Sequence, residues 1–77
     1  MEYAFTVTNE KLDFVIIEGR TNSTGLNAIL KRFAGLAYPT RAALMHELLE
    51  NKVANHKGVR DSEHPYSVHM QYVGTLV

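Results

Sequence analysis

Two stretches of strict alternation, "YAFTVT" at residues 3–8 and "YSVHMQYV" at 66–73, bracket a middle section in which apolar residues recur every three or four positions. Alternation with period two is what a strand with one buried face needs, and the three-to-four spacing is what a helix with one buried stripe needs. Neither can bury its apolar side alone, so the helices must lie against the sheet, which predicts a two-layer α+β architecture. The chain has 77 residues and no cysteine. It therefore forms one domain over 1–77, burying only about 60 to 65% of the surface its unfolded state exposes, with neither disulfides nor thiolate metal sites to reinforce it.

The first alternating run places Tyr3, Phe5 and Val7 on one face and Ala4, Thr6 and Thr8 on the other. After the polar "NEK", the run "LDFVIIEG" at 12–19 reads as the second arm of a hairpin. Phe14, Val15, Ile16 and Ile17 are apolar on both faces, as in a central strand or one whose outer face meets a partner. "GRTNSTG" breaks the pattern and offers Ser23 or Thr24 as a helix cap. Leu26, Ile29, Leu30, Phe33 and Leu36 then form one helical stripe, closed by Gly35 and by Pro39, which disfavours helical geometry at Tyr38. Thr40 is the expected cap of a second helix with Ala42, Met45, Leu48, Leu49 and Val53 inward. Lys52, His56 and Lys57 then fall in its last turn, and Gly58 just beyond. A polar loop leads to a final strand over 66–77, in which Tyr66, Val68, Met70 and Tyr72 alternate with Ser67, His69, Gln71 and Val73.

The element order is thus ββααβ, and the expected fold is a three-stranded antiparallel sheet of order 1-2-3 with two helices packed on one face. The alternative, with the last strand parallel to the first and beside it, leaves "FVII" at an edge, where unpaired backbone invites aggregation. With Phe14 and Ile16 turned toward the helices, Val15 and Ile17 lie on the uncovered face beside Thr6, Thr8, His69, Gln71 and Val73. That patch, a few hundred Å², is of the size that usually meets something. Val15, Ile17, His69, Gln71 and Val73 are accordingly the candidate partner-binding residues. The long last strand, with no internal proline, is the expected free edge, so a homodimer through the sheet face or that edge is the simplest assembly.

Chemical signatures are sparse. "HELLENKVANH" at 46–56 opens like a zinc-protease helix, but Glu50 stands where the second His should be. On a continuous helix His56 would lie about 80° around the axis and nearly three turns along it, out of reach of the same ion. His46, His56, His64 and His69 imply no metal site. Ser23, Ser62 and Ser67 lack the tight glycine-flanked turn of an activated nucleophile, and "GRTNSTG" has too few glycines to cradle a phosphate. The tripeptide "NST" at 22–24 spells a glycosylation acceptor, yet the N-terminus has no export signal and no run approaches the roughly 20 apolar residues of a membrane span. The chain is expected in the cytoplasm, without cofactor, metal or membrane.

Net charge is zero but unevenly distributed. Residues 1–18 carry four acids and one base, whereas 19–46 carry Arg20, Lys31, Arg32 and Arg41 and no acid. Those four are the candidate anion or nucleic-acid contacts. Overall neutrality and the placement of aromatics on the core face weigh against a nucleic-acid surface. The favoured expectation is a small non-enzymatic protein-binding module, a regulator or inhibitor of phage or plasmid type, with nucleic-acid binding through residues 20–41 as the alternative.

Overall fold

A computed structural model describes residues 1–74. Its elements are β1 (Glu2–Asn9), β2 (Phe14–Thr21), α1 (Ser23–Ala34), α2 (Tyr38–Asn51), β3 (Val53–His56) and β4 (Tyr66–Gly74). The α+β class and the two helices are as expected. The sheet differs: it has four strands in the order β2-β1-β4-β3, all antiparallel, where three in the order 1-2-3 were expected. The final strand ends at Gly74 in the described residues, and the remaining expected strand positions, 75–77, lie outside them.

The missing strand accounts for the changed topology. Val53 falls four residues after Leu49 and so continues a helical stripe on paper. In the fold, α2 stops at Asn51, Lys52 turns into the left-handed region at φ 66°, and Val53–His56 pair with Val68–Gln71 of β4. Val53, Asn55 and His56 have weak helical preference, and as a strand the segment gains a sheet partner and buries Ala54 instead of forming an exposed last turn. With β3 taking the outer position, β4 is flanked on both sides, and its other neighbour is β1. The last strand is therefore internal, not the free edge.

β1 suits the centre because its alternation is exact in burial: Tyr3, Phe5, Val7 and Asn9 are buried and the residues between them half-buried. Its large side chains support α1, while Ala4, Thr6 and Thr8 form part of the bare face. Helix α1 is capped by Asn22, not Ser23 or Thr24; the Asn22 Oδ1 accepts from the Gly25 amide at 2.9 Å. It ends at Gly35, whose φ of 63° and amide bond to Lys31 carbonyl close the last turn. Pro39 does not hold α2 back to Thr40. It sits in the first turn, where its missing N–H would have had no intrahelical acceptor, and Ala37 is the cap position.

The core joins Tyr3, Phe5 and Val7 of β1, Val68 and Met70 of β4, Ala54 of β3, Leu26 and Leu30 of α1, and Leu48 of α2. Each large apolar side chain of this kind contributes about 1.5 to 3 kcal/mol when fully buried. Ile29, Phe33, Leu36, Leu44, Met45, Tyr66 and Tyr72 pack around it. Two edge-to-face ring pairs, Tyr3 with Tyr72 and Phe33 with Tyr66, each at 5.6 Å, tie the sheet to itself and to α1. Burial, and then the neighbouring Tyr72, raise the Tyr3 phenol above its usual range. The α2 stripe is shallower than its spacing implies: Leu48 alone is fully buried, while Ala42, Leu49 and Val53 are exposed.

Helix α1 lies over β1 and β4, and α2 over β3 and β4; α1 meets β2 only marginally. The sheet is one strand wider than its helical cover. That overhang positions the site.

Candidate functional site

β2 is exposed along its length up to Arg20, with Thr21 half-buried. Phe14 is 52% exposed, Val15 47%, Ile16 38% and Ile17 40%, and Leu12 in the preceding turn is 61% exposed. These values are far from those of a central strand. β1 satisfies one side of the strand, and among the described residues nothing pairs with the other. The apolar run that read as a sheet centre is therefore a sheet rim, presenting side chains and unpaired backbone polar groups together.

The hairpin that sets this rim is held by Asn9. Its Oδ1 accepts from the amides of Lys11 and Leu12 at 2.9 and 3.0 Å, while its carbonyl accepts from Asp13, which adopts φ 59°. Asn and Asp are suited to these positions because short polar side chains mimic a backbone turn and tolerate the left-handed region. The pairing then runs Phe14 with Asn9, Val15 with Thr8, and Ile17 with Val7. Ile16 is the extra residue of a β-bulge between Val7 and Thr8.

The bulge corrects the expected facing. Ile17 lies opposite buried Val7, on the helix side of the sheet, and Phe14 opposite buried Asn9 on the same side. Val15 is on the bare face, opposite Thr8, with Glu18 and Arg20 following on that face opposite Thr6 and Ala4. Val15 and Ile17 thus both border the rim but from opposite faces of the sheet.

Across the bare face, Glu18, Thr6, His69 and Asn55 form one row, and Arg20, Ala4, Gln71 and Val53 the next. His69 and Gln71 are exposed there as expected, and the His69 Nδ1 lies against the Asn55 Oδ1. The face is polar at its centre. Val73 sits at a second register shift, in the pairing of β4 with β1 between Glu2 and Tyr3, at the opposite end of β1 from Val15 and roughly 20 Å away at a strand rise of about 3.3 Å per residue. The five expected contact residues do not make one patch. The apolar surface is concentrated on β2, with Leu12, Phe14 and Ile16 belonging to it. Its signal in the sequence was the four-residue run apolar on both faces.

The four cations do not converge either. Arg20 is on the bare face, whereas Lys31 and Arg32 are in the last turn of α1, on the other side of the sheet. Arg41 is half-buried and donates through a guanidinium nitrogen to the Leu36 carbonyl, fixing the α1–α2 connection. Arg32 and Arg41 also lie over the Phe33 and Tyr38 rings at 5.8 and 5.9 Å.

The histidines are dispersed. His46 faces Glu50 at 3.1 Å on the exposed side of α2, while His56 is on β3, not on the helix with His46. Burial lowers the His56 imidazole below its usual range. His64 packs its ring over Gly35. Among the described residues no three side chains of the His, Cys, Asp and Glu types come together to hold a metal ion. Two open clefts, of about 370 and 320 Å³, flank His56 and Lys57. The serines near them are engaged in loop structure: Ser62 Oγ donates to the Val59 carbonyl, and Ser67 Oγ accepts from the Gly58 amide. Among the described residues no helix is long and apolar enough to cross a membrane.

No protein-family model, curated protein or solved structure matches this chain.

Proposed function

We propose that this chain is a protein-binding module, a small regulator or inhibitor acting by contact, and that it receives its partner along β2. The observation that supports the reading is the placement of four consecutive apolar residues, Phe14 to Ile17, on an edge strand that the helices leave uncovered. Folding alone gives no reason for them. Exposed apolar side chains on an unpaired edge usually occur where another chain supplies the missing strand, its backbone giving affinity and its side chains specificity. The dispersion of Arg20, Lys31, Arg32 and Arg41 over both sides of the sheet favours this reading over a nucleic-acid interface.

The test compares what the wild-type chain and the Val15→Asp, Ile16→Asp double variant capture from a lysate of the source cells. Both side chains are exposed, so the variant keeps its circular dichroism and melts close to the wild type. It loses the proteins that the wild type captures, and the wild-type capture resists salt. Equal capture by both forms, or retention dominated by nucleic acid and abolished by salt, sinks the reading.

A further inference from the structure

We infer that the occupant of the β2 edge is a second copy of this chain, joined through antiparallel β2–β2 pairing about a two-fold axis into one continuous eight-stranded sheet. This rests on the reading of β2 as a contact edge and names its partner.

A two-fold interface must be complementary to itself, and β2 is. With the axis between Ile16 and Ile17, Ile16 of one copy faces Ile17 of the other. Val15 then meets Glu18, Phe14 meets Gly19, and Asp13 approaches Arg20, each contact occurring twice. The bulge at Ile16 is what makes this register consistent in facing. Phe14 and Gly19 are both on the helix side, opposite Asn9 and Phe5, while Val15 and Glu18 are both on the bare side, opposite Thr8 and Thr6. Gly19 has space for its visitor, since a Cβ there would meet only the Phe5 ring, at 3.6 Å. A cross-strand aromatic over an edge glycine is a known way to pin register. The opposed Asp13 and Arg20 add charge complementarity, and zero net charge lets two copies approach without mutual repulsion.

The steric and areal requirements are also met. Because α1 stops over β1, the two α1 helices of such a dimer are separated by about four strand spacings, roughly 19 Å. Packed helices need about 8 to 10 Å, so they do not collide. The exposed parts of Phe14 to Ile17 amount to about 300 Å² per copy. With the strand backbone, Leu12, Glu18 and Arg20 included, the total approaches about 1,000 Å², the lower bound of a specific interface. An interface at that lower bound belongs with weak, reversible contacts, for which the association is sought in the micromolar range. Pairing would also remove the long free edge found among the described residues, leaving as the outer strands the four-residue β3 of each copy.

Sedimentation equilibrium from about 5 to 500 µM, a span that brackets a micromolar dissociation constant, should show the mass rising from 8.7 kDa to twice that value. The Val15→Glu, Ile16→Glu variant, whose new carboxylate at position 15 would face Glu18 of the other copy, should remain monomeric with an unchanged circular dichroism spectrum. Since the chain has no cysteine, the register is readable by oxidising a mixture of Val15→Cys and Glu18→Cys single variants. The mixed 15-to-18 crosslink should dominate over either self-crosslink. A wild type that stays monomeric throughout overturns the self-pairing, even where the lysate comparison still upholds β2 as a contact edge. A dimer unaffected by the two glutamates, or one whose crosslinks are chiefly 15-to-15 or 18-to-18, overturns it as well.

Discussion

Replacing Asn9 by Ala removes the side-chain oxygen that accepts from the Lys11 and Leu12 amides at 2.9 and 3.0 Å. Each such bond contributes about 1 kcal/mol net. Lys11 and Leu12 are exposed, so water takes over both donors and the larger penalty of burying an unpaired group does not arise. The expected loss is about 1 to 2 kcal/mol, which for a domain of this size lowers Tm by roughly 5 to 15 °C. Asn9→Asp keeps an acceptor in place and should recover most of the difference at neutral pH. Thermal melts followed by circular dichroism give the global change, and amide exchange locates it: protection at Lys11 and Leu12 should fall further than in β1 or β4. The variant matters for function because Asn9 pairs with Phe14 at the start of the exposed strand. A loosened turn should weaken any association through β2 even below the melting transition. A Tm within about 1 °C of wild type, or an Asp variant no better than Ala, would refute the role assigned to this turn.

Leu30 is fully buried between α1 and the sheet, so Leu30→Ala should cost about 3 kcal/mol in urea titration, whereas the same change at exposed Leu49 should cost under about 1 kcal/mol. Gly58→Ala would put a Cβ 2.6 Å from the Tyr66 backbone nitrogen and carbonyl carbon. Because those are backbone atoms, the loop must shift, at a cost of about 1 to 3 kcal/mol seen as a lower urea midpoint. His56 has its folded pKa lowered by burial, so the unfolded chain takes up the proton first. Its contribution to stability is constant above the unfolded value near 6.5, declines as pH falls through that value, and levels off below the folded value. His56→Gln should flatten that part of the stability profile measured by urea unfolding between about pH 5 and 7.5; an unchanged slope would remove His56 as its source.

Local pattern was enough for much of this molecule. The alternation of Tyr3, Phe5 and Val7, and of Tyr66, Val68, Met70 and Tyr72, determined which faces of β1 and β4 are inward. The spacing of Leu26, Leu30 and Phe33 determined the buried side of α1, and Gly35 marked its end. These signals are legible because period and burial are tied by backbone geometry within one element. What the pattern could not decide was which strand lies beside which. Val53–His56 carries too little periodicity to announce a strand, and it forms one because β4 offers a free ladder. That pairing alone moves β4 inward, joins it to β1 and displaces β2 to the rim. The facing of Ile17 was beyond sequence for a related reason: one bulged residue at Ile16 reverses the parity of everything on one side of it. Residue pattern is enough to mark Phe14 to Ile17 as apolar on both faces. That the helices leave them uncovered emerges from the assembly of the elements, because the width of a sheet is set by pairing between distant segments and the width of its cover by how many helices the chain can supply.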